Sequence, residues 1–600
     1  MKPGVAKALK IGKWALGALV VFGIYFAVTH TAKKVAVSQK IDQIAVATAF
    51  SEDKVTTSNK LATPEFGTPS PTGTQFVFEV MEWNSQFPLM YANGGVFTCK
   101  NSLFAQNGVK CEIRRQDDCN QTVKDFVENA QALADGKTTI PMVVCFMGDG
   151  VPGFSAGLNA IRKLGKGHKA IAFYTMGRSN GEDCFWGPAS WKEHPEQCLG
   201  KGVLGVPRDG DINIVLKWAA DNNITINANE KVWDSGALNI MPCADFNTEL
   251  CNKVLNDYTE DRDVVVNGQT VPGQKHVLHV DAFTTWTPAD VTIATKKGGF
   301  ARLASTAEFT QQMPNMAIID AAWADAHRPA VCSLIKALGL AGDQVRSFPE
   351  AQEFAAKVSA LVYKDKDANY WLKYYRGAPN ETDKKGNKVF LGGSQSFNLA
   401  DAAMVFGLSK KEKTPIDRYK ITYETFAAIL TKLWPVDMKG AISYDEMVDN
   451  SYLREVLSKN DSLSNGVTEN SSNEYASGST VTEQVSEKAY NIKYAVGSAV
   501  IDKSSYAHLD EIFKSGIISE KLTLFIYGHT DALGDEKDNG ASNQSLSMRR
   551  AESVQAYLIN KGFPSNRIQV KGYGSSQPIP STNNNKNDIR NRCVEVIQGH

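Results

Sequence analysis

The chain has 600 residues, and its 65 Lys+Arg balance 65 Asp+Glu, so the formal net charge is zero. Hydrophobic residues make up 42% and charged residues 22%, enough apolar content for several folded cores and too polar for a polytopic membrane protein. Overall charge balance also argues against bulk electrostatic binding of nucleic acid, which needs a clustered basic surface.

The N-terminus departs from that balance. Lys2, Lys7, Lys10 and Lys13 precede an apolar run from Trp14 to Val28, Lys33, Lys34 and Lys40 follow it, and no acid occurs before Asp42. The run is at the short end for a bilayer-spanning helix and reads as an uncleaved anchor over residues 1–40. A cleaved signal peptide shares the basic lead, but Thr29-His30-Thr31-Ala32 is a poor match to a small-x-small cleavage site. Either reading exports the bulk of the chain. Residues 41–75, rich in Thr, Ser and Pro, read as a tether.

Residues 76–457 read as a large α/β domain. Phe76 to Val80, Lys110 to Arg114, Pro141 to Phe146 and Lys169 to Tyr174 are strand-like, with helices over Gln121 to Asp135 and Ser155 to Leu164; Lys201 to Val206 and His276 to Val280 are later strands. Such alternation implies a parallel sheet with ligand chemistry in the loops after the strand ends. Those loops carry Trp83 and Asn84, Asp117, Ser155, Arg178, Asp211 and Asn213, and Thr284, Thr285 and Trp286. Hydroxyls and helix N-termini suit an anionic group, and the two tryptophans suit an organic portion of the same ligand. Gly153-Phe154-Ser155-Ala156-Gly157 has the G-x-S-x-G form of a nucleophile elbow, yet Pro152 and several loop residues separate Ser155 from its strand. A helix-cap or ligand hydroxyl therefore suits Ser155 better than a serine hydrolase role. No H-E-x-x-H, P-loop or EF-hand pattern occurs, so no metal or cofactor is expected. Of ten cysteines, Cys184 with Cys198 and Cys243 with Cys251 have short-loop disulfide spacing, with fully reduced thiols as the alternative.

The succession Trp83-Asn84, Tyr91-Ala92-Asn93-Gly94-Gly95, Leu199-Gly200-Lys201-Gly202-Val203 and Asp281 to Asp290 followed by Gly298-Gly299 resembles the periplasmic solute-binding proteins of ABC importers, nearest the nitrate/sulfonate/taurine group. That resemblance implies two lobes closing on a small anion or zwitterion, with an ABC permease as partner.

Residues 458–486, dominated by Ser, Asn, Glu and Thr, read as a second linker. Residues 487–600 alternate again: strands over Tyr494 to Ile501, Leu522 to Tyr527, Ile568 to Tyr573 and Cys593 to Ile597, with helices from Tyr506 to Ser515 and through Leu546, Ala551, Val554 and Leu558. Gly528-His529-Thr530-Asp531, then Asn543-Gln544 with Arg550-Ala551, then Gly572-Tyr573-Gly574 and Asn591-Arg592-Cys593 resemble the OmpA-like peptidoglycan-binding domain. The resemblance implies that Asp531 and Arg550, with Thr530 and Asn543 nearby, clasp diaminopimelate. A zwitterion wants a carboxylate for its ammonium and a guanidinium fork for its carboxylate. Two departures stand out: a longer loop at 534–543, and Asp588 and Cys593 where the family pattern has Arg.

The expected fold is thus α/β, a two-lobed binding-protein-like domain and an OmpA-like sandwich behind an N-terminal transmembrane helix. The expected protein sits in the inner membrane with its bulk in the periplasm. It binds peptidoglycan and a small-molecule solute, without enzymatic activity and without nucleic acid. The alternative is a structural wall tether whose middle domain binds a protein partner.

Overall fold

The computed structural model describes residues 61–600, except 267, 461–474, 476–477, 479–480, 496, 534, 539 and 580–584 and the side chains of 536 and 538. The anchor expected over 1–40, most of the 41–75 tether and much of the 458–486 linker lie outside the described residues. Among the described residues no helix is long and apolar enough to cross a membrane. Residues 61–73 run along the first lobe: Ala62 N donates to Gln344 Oε1 at 2.9 Å and Ser70 N to Thr98 O at 2.8 Å.

The first lobe begins with β1 (Thr74–Val80), β2 (Val109–Arg115), β3 (Met142–Met147) and β4 (Ala170–Ser179). Strands β3 and β4 are buried along their whole length, the pattern of strands covered by helices on both faces. The chain then crosses to a second lobe at 180–183. There it forms β5 (Cys184–Gly187), β6 (Gly202–Gly205), β7 (Ile226–Asn227), β8 (Val232–Asp234), β9 (Leu238–Pro242), β10 (Thr259–Val266), β11 (Gln269–Thr285) and β12 (Ala301–Ser305). It recrosses at 306–313 into β13 (Pro314–Asp320). A hairpin of β14 (Ala378–Thr382) and β15 (Lys388–Leu391) joins the core of the second lobe before β16 (Ser394–Ser396) returns to the first.

The sheet orders are β16-β4-β13-β3-β1-β2 and β12-β5-β11-β6-β9-β7, with β10 paired to β11 and β8 to β10. Both are mixed, where βα alternation alone predicts parallel sheets. The reason is topological. β1, β2 and β3 are parallel, but β13 arrives from the other lobe and runs antiparallel between β3 and β4. At the crossing, Asn180 N and Glu182 N both donate to Gly393 O, at 2.9 and 3.1 Å. Gly393 has φ of 111°, and a Cβ there would stand 2.6 Å from Asn180 O, so a side chain is excluded.

The C-terminal sheet, β17 (Gln484–Tyr490), β18 (Thr523–His529), β19 (Ile568–Gly574) and β20 (Val594–Gly599), has the order β17-β20-β18-β19. Where a strand is expected over Tyr494 to Ile501, the described residues form one bridge, between Tyr494 and Ile501. The edge beside β20 is taken by 484–490, and Tyr494, Ala495 and Gly497 line the domain's cavity. Helices Tyr506–Ile518 and Ala541–Asn560 cover the sheet. The longer one packs so closely that a Cβ on Gly528 would lie 2.1 Å from Ser547 O, and one on Gly572 2.4 Å from Met548 N. The motif glycines thus set the depth at which the Arg550 helix lies against the sheet.

This domain rests on both lobes. Arg418 Nη2 donates to Glu520 Oε1 at 2.9 Å, and Gln311 N to Ile518 O at 2.9 Å. From the second lobe, Lys217 Nζ reaches Ser515 Oγ at 2.7 Å, and Gln598 Nε2 donates to Asp221 at 3.2 Å. Lys521 donates to Asn180 Oδ1 at 2.9 Å, so the C-terminal domain touches both crossing segments.

All ten cysteines are free thiols. Cys184 Sγ faces Gly181 O at 3.0 Å and Cys251 Sγ faces Ala289 O at 3.7 Å; each points into its own packing environment rather than toward the partner that spacing suggested.

Gly528→Ala is expected to destabilise the C-terminal domain by about 1–3 kcal/mol, the usual cost of overpacking. The measurement is the denaturant midpoint of that domain followed by hydrogen exchange on β18; an unchanged midpoint contradicts the close helix approach.

Candidate functional site

The loops that follow β1, β3, β4, β6 and β11 meet between the lobes, where the carboxyl ends of both sheets face each other. They bring seven carboxyl groups into the interior: Glu82, Asp149, Glu182, Asp183, Asp209, Asp211 and Asp290, none more than 2% exposed. Asp209 caps the helix Gly210–Asp221, accepting from Gly210 N at 2.7 Å, and Asp211 sits in its first turn. The helix dipole offsets part of their charge. Asp149 accepts from Gln312 Nε2 at 2.7 Å, and Asp290 from Val291 N at 2.6 Å. Asp183 and Asp211 are adjacent, with the Trp83 indole and the Ser179 hydroxyl beside Asp183.

Burial pushes the carboxyls of Asp183 and Asp290 up to about 7 and that of Asp209 up to about 6. Burial first, and the neighbouring acids next, raise Asp211 well above the carboxylate range, and Asp149 is raised in the same way. Glu82 is pushed up to about 10 by burial, against the pull of Arg115 at 2.8 Å.

Five of the residues singled out from sequence converge here. Trp83 is fully buried; Asn84 Nδ2 donates to Glu182 Oε1 at 2.9 Å; Asn213 Nδ2 donates to Asp149 O at 2.9 Å. Asp211 lies beside Asp183. Trp286 Nε1 donates to Glu82 O at 2.8 Å and its ring packs on Phe246. Thr284 and Thr285 hold this arrangement, donating to Asp211 O at 2.8 Å and Phe246 O at 2.7 Å. Asp117 stands behind it, pairing with Arg115 at 2.7 Å and accepting from Glu82 N at 2.9 Å.

Two predicted residues stand apart. Arg178 is drawn to Gln395 Oε1 at 2.7 Å and Thr310 O at 2.9 Å. Ser155 lies inside the helix Val151–Leu158, donating to Pro152 O at 2.8 Å and accepting from Ile442 N at 3.2 Å. Both of these contacts are to main chain, so the hydroxyl ties the helix to the segment at Ile442. Sequence reasoning passed over Asp149, Asp183, Asp209 and Asp290 as ligand residues. Their loops follow strand ends, the position at which α/β folds place ligands, and that was the available signal. The centre is lined by carboxyls rather than by the N–H groups and cation that an anion would need.

The C-terminal domain has a cavity of about 990 Å³, lined among others by Thr530, Asp531, Asn543, Arg550 and Arg592. All four residues predicted there come together. Asp531 pairs with Arg592 at 2.7 Å. Arg550 lies over the Tyr494 ring at 4.7 Å and donates from Nε to Ser498 O at 3.2 Å, with its pKa lowered, chiefly by burial. Asn543 positions the Asp531 backbone, donating to its carbonyl at 3.2 Å. The Thr530 hydroxyl is buried without a partner. Arg592 was quoted in a motif but not as a site residue; its place on the loop before β20 brings it back to Asp531. The departures from the family pattern lie at the margin: Asp588 caps a short turn and grips Arg590 at 2.6 Å, and Cys593 is buried.

Residues 493–592 match the OmpA family. Outer membrane protein A of Bordetella avium is 40% identical over 88 residues, 15% of this chain and 43% of that protein. Outer membrane protein A of Escherichia fergusonii is 32% identical over 119 residues, 19% of this chain and 46% of the relative. The chain spans less than half the length of these curated relatives. Among solved structures, the OmpA-like domain of FopA1 from Francisella tularensis is similar at 23% identity, covering 18% of this chain and 70% of that one, with a TM-score of 0.17. The middle region is similar to the periplasmic nitrate-binding protein NrtA from Synechocystis at 11% identity, covering 66% of this chain and 89% of that one, with a TM-score of 0.42.

The raised carboxyls between the lobes have a consequence for stability. The folded protein holds protons that the unfolded chain releases near pH 4, so the associated stability is fully present below about pH 4 and is lost progressively as pH rises through about 6 and 7. The melting temperature of the ligand-free protein is expected to fall by several degrees between pH 5 and 8, and the slope to shrink in Asp183→Asn. A flat or rising profile contradicts the dry environment of these groups.

Proposed function

We propose that this is a cell-envelope protein that grips peptidoglycan with its C-terminal domain and captures a small solute between its two lobes. The wall-binding reading is supported by one observation: Asp531, Arg550 and Arg592 line a single cavity, a carboxylate that would take an ammonium and guanidinium groups that would take a carboxylate. That pairing of charges suits a zwitterionic amino-acid end such as diaminopimelate. The solute reading rests on buried polar groups without partners at the meeting point of two sheets joined by short crossings, where closure about a hinge traps a ligand. Periplasmic placement, an N-terminal membrane anchor and delivery to an ABC permease complete the proposal.

Pull-down on purified sacculi tests the wall-binding site. Asp531→Ala and Arg550→Ala are each expected to weaken binding at least tenfold, and Arg592→Ala to weaken it less, because its role is partly to hold Asp531. Unchanged binding in both of the first two variants contradicts the assignment.

A further inference from the structure

Between the lobes, acceptors outnumber donors. Asp183 and Asp211 face each other, with the Trp83 indole and the Ser179 hydroxyl beside Asp183, and Asp149 Oδ1, Asp209 Oδ2 and Asp290 Oδ2 have no hydrogen-bond partner. Two carboxamides add to the imbalance. Asn84 and Asn213 are wholly buried, and each has its NH2 committed to a fixed acceptor, Glu182 Oε1 and Asp149 O. Their buried Oδ1 atoms, beside Glu182 and Asp149, both lack a partner.

The surrounding cations are engaged elsewhere. Arg115 is held by Glu82 and Asp117, Lys217 by Asp221, and Arg178 by Gln395 and Thr310. Among the described residues no three acidic, His or Cys side chains are placed to hold a metal ion. What would satisfy this centre is a molecule rich in N–H donors and carrying positive charge. An ammonium group offers three donors and no acceptor, and pairing is the condition under which ionised carboxylates tolerate burial. The Trp83 indole beside Asp183 favours its ionised form, the form that would pair with an ammonium. A nitrate, sulfonate or phosphate would bring further acceptors to a centre already rich in them, and would meet like charge wherever a carboxyl is ionised.

We propose that the solute captured between the lobes is an organic cation bearing one or more ammonium groups, held by Asp183 and Asp211 with Asn84 and Asn213 as further acceptors. This rests on the solute-binding reading above and specifies its ligand. Closure on a cation satisfies the carboxylates; closure on an anion or on nothing strands them.

Isothermal titration of the full chain with spermidine, putrescine and lysine, and in parallel with nitrate and taurine, tests the proposal. At least one amine is expected to bind, and Asp211→Asn and Asp183→Asn to weaken it tenfold or more. Both variants are nearly isosteric and replace a buried ionisable carboxyl with a neutral amide, so their ligand-free melting temperature is expected to equal or exceed that of the parent; retained sacculus binding confirms their fold. Binding of nitrate or taurine with all three amines inert overturns the ligand class while leaving solute capture intact. Silence toward every compound overturns both. Amine binding that is unaffected in both variants overturns the site.

Discussion

Carboxylates that are dry and lack donors place the strongest constraint on this molecule. Taking an unpaired carboxylate out of water costs several kcal/mol, and here five aspartates converge where two sheets meet, each with at least one bare oxygen. The fold brings them there for a topological reason: they follow the carboxyl ends of β3, β4 and β6 and the turn after β11, and both lobes turn those ends inward. Hydration by opening, protonation, or a bound cation are the three ways to relieve the cost. The rest of the middle domain is arranged around that choice, with hydrogen-bonded crossings at Asn180, Glu182 and Gly393 and short side chains such as Thr284 and Thr285 pinning the loops.

A second buried charge network joins the middle and C-terminal domains. Arg418 and Glu520 are 4% and 7% exposed. Burial opposes the Glu520 charge, but Arg418 foremost, with Arg567 and Arg178, holds its carboxyl down to about 2. Such a pair adds little net stability over an apolar contact, yet losing either partner is severe; it fixes where the C-terminal domain sits. Because that domain also meets Asp221 of the second lobe and Asn180 of a crossing segment, the C-terminal cavity and the interlobe carboxyls belong to one packed body.

The C-terminal site was legible because its residues are local in sequence and each has a physical duty: Gly528 and Gly572 admit the helix, Asn543 holds the Asp531 backbone, Arg550 faces the cavity. The middle domain was legible as strands and loops, since β3 and β4 are continuous apolar runs, but its sheets were misjudged as parallel because β13 inserts from a distant point in the chain. Trp83, Asn84, Asp211, Asn213 and Trp286 were found because they follow strand ends. Ser155 and Arg178 share that position and yet serve packing and the crossings. Nothing local distinguishes Asp183, which becomes notable only when the lobes bring Asp211 beside it. Hydroxyls and helix N-termini pointed toward an anion, whereas the sum of charges at the centre is a property of the closed fold.

The central claim, that the interlobe carboxylates exist to hold a cation, is tested most directly by a crystal structure of the protein grown with spermidine. The account predicts an ammonium nitrogen within hydrogen-bond distance of both Asp183 and Asp211, with the lobes closed around it. Spermidine seated elsewhere, or an anion filling the same centre, would contradict it.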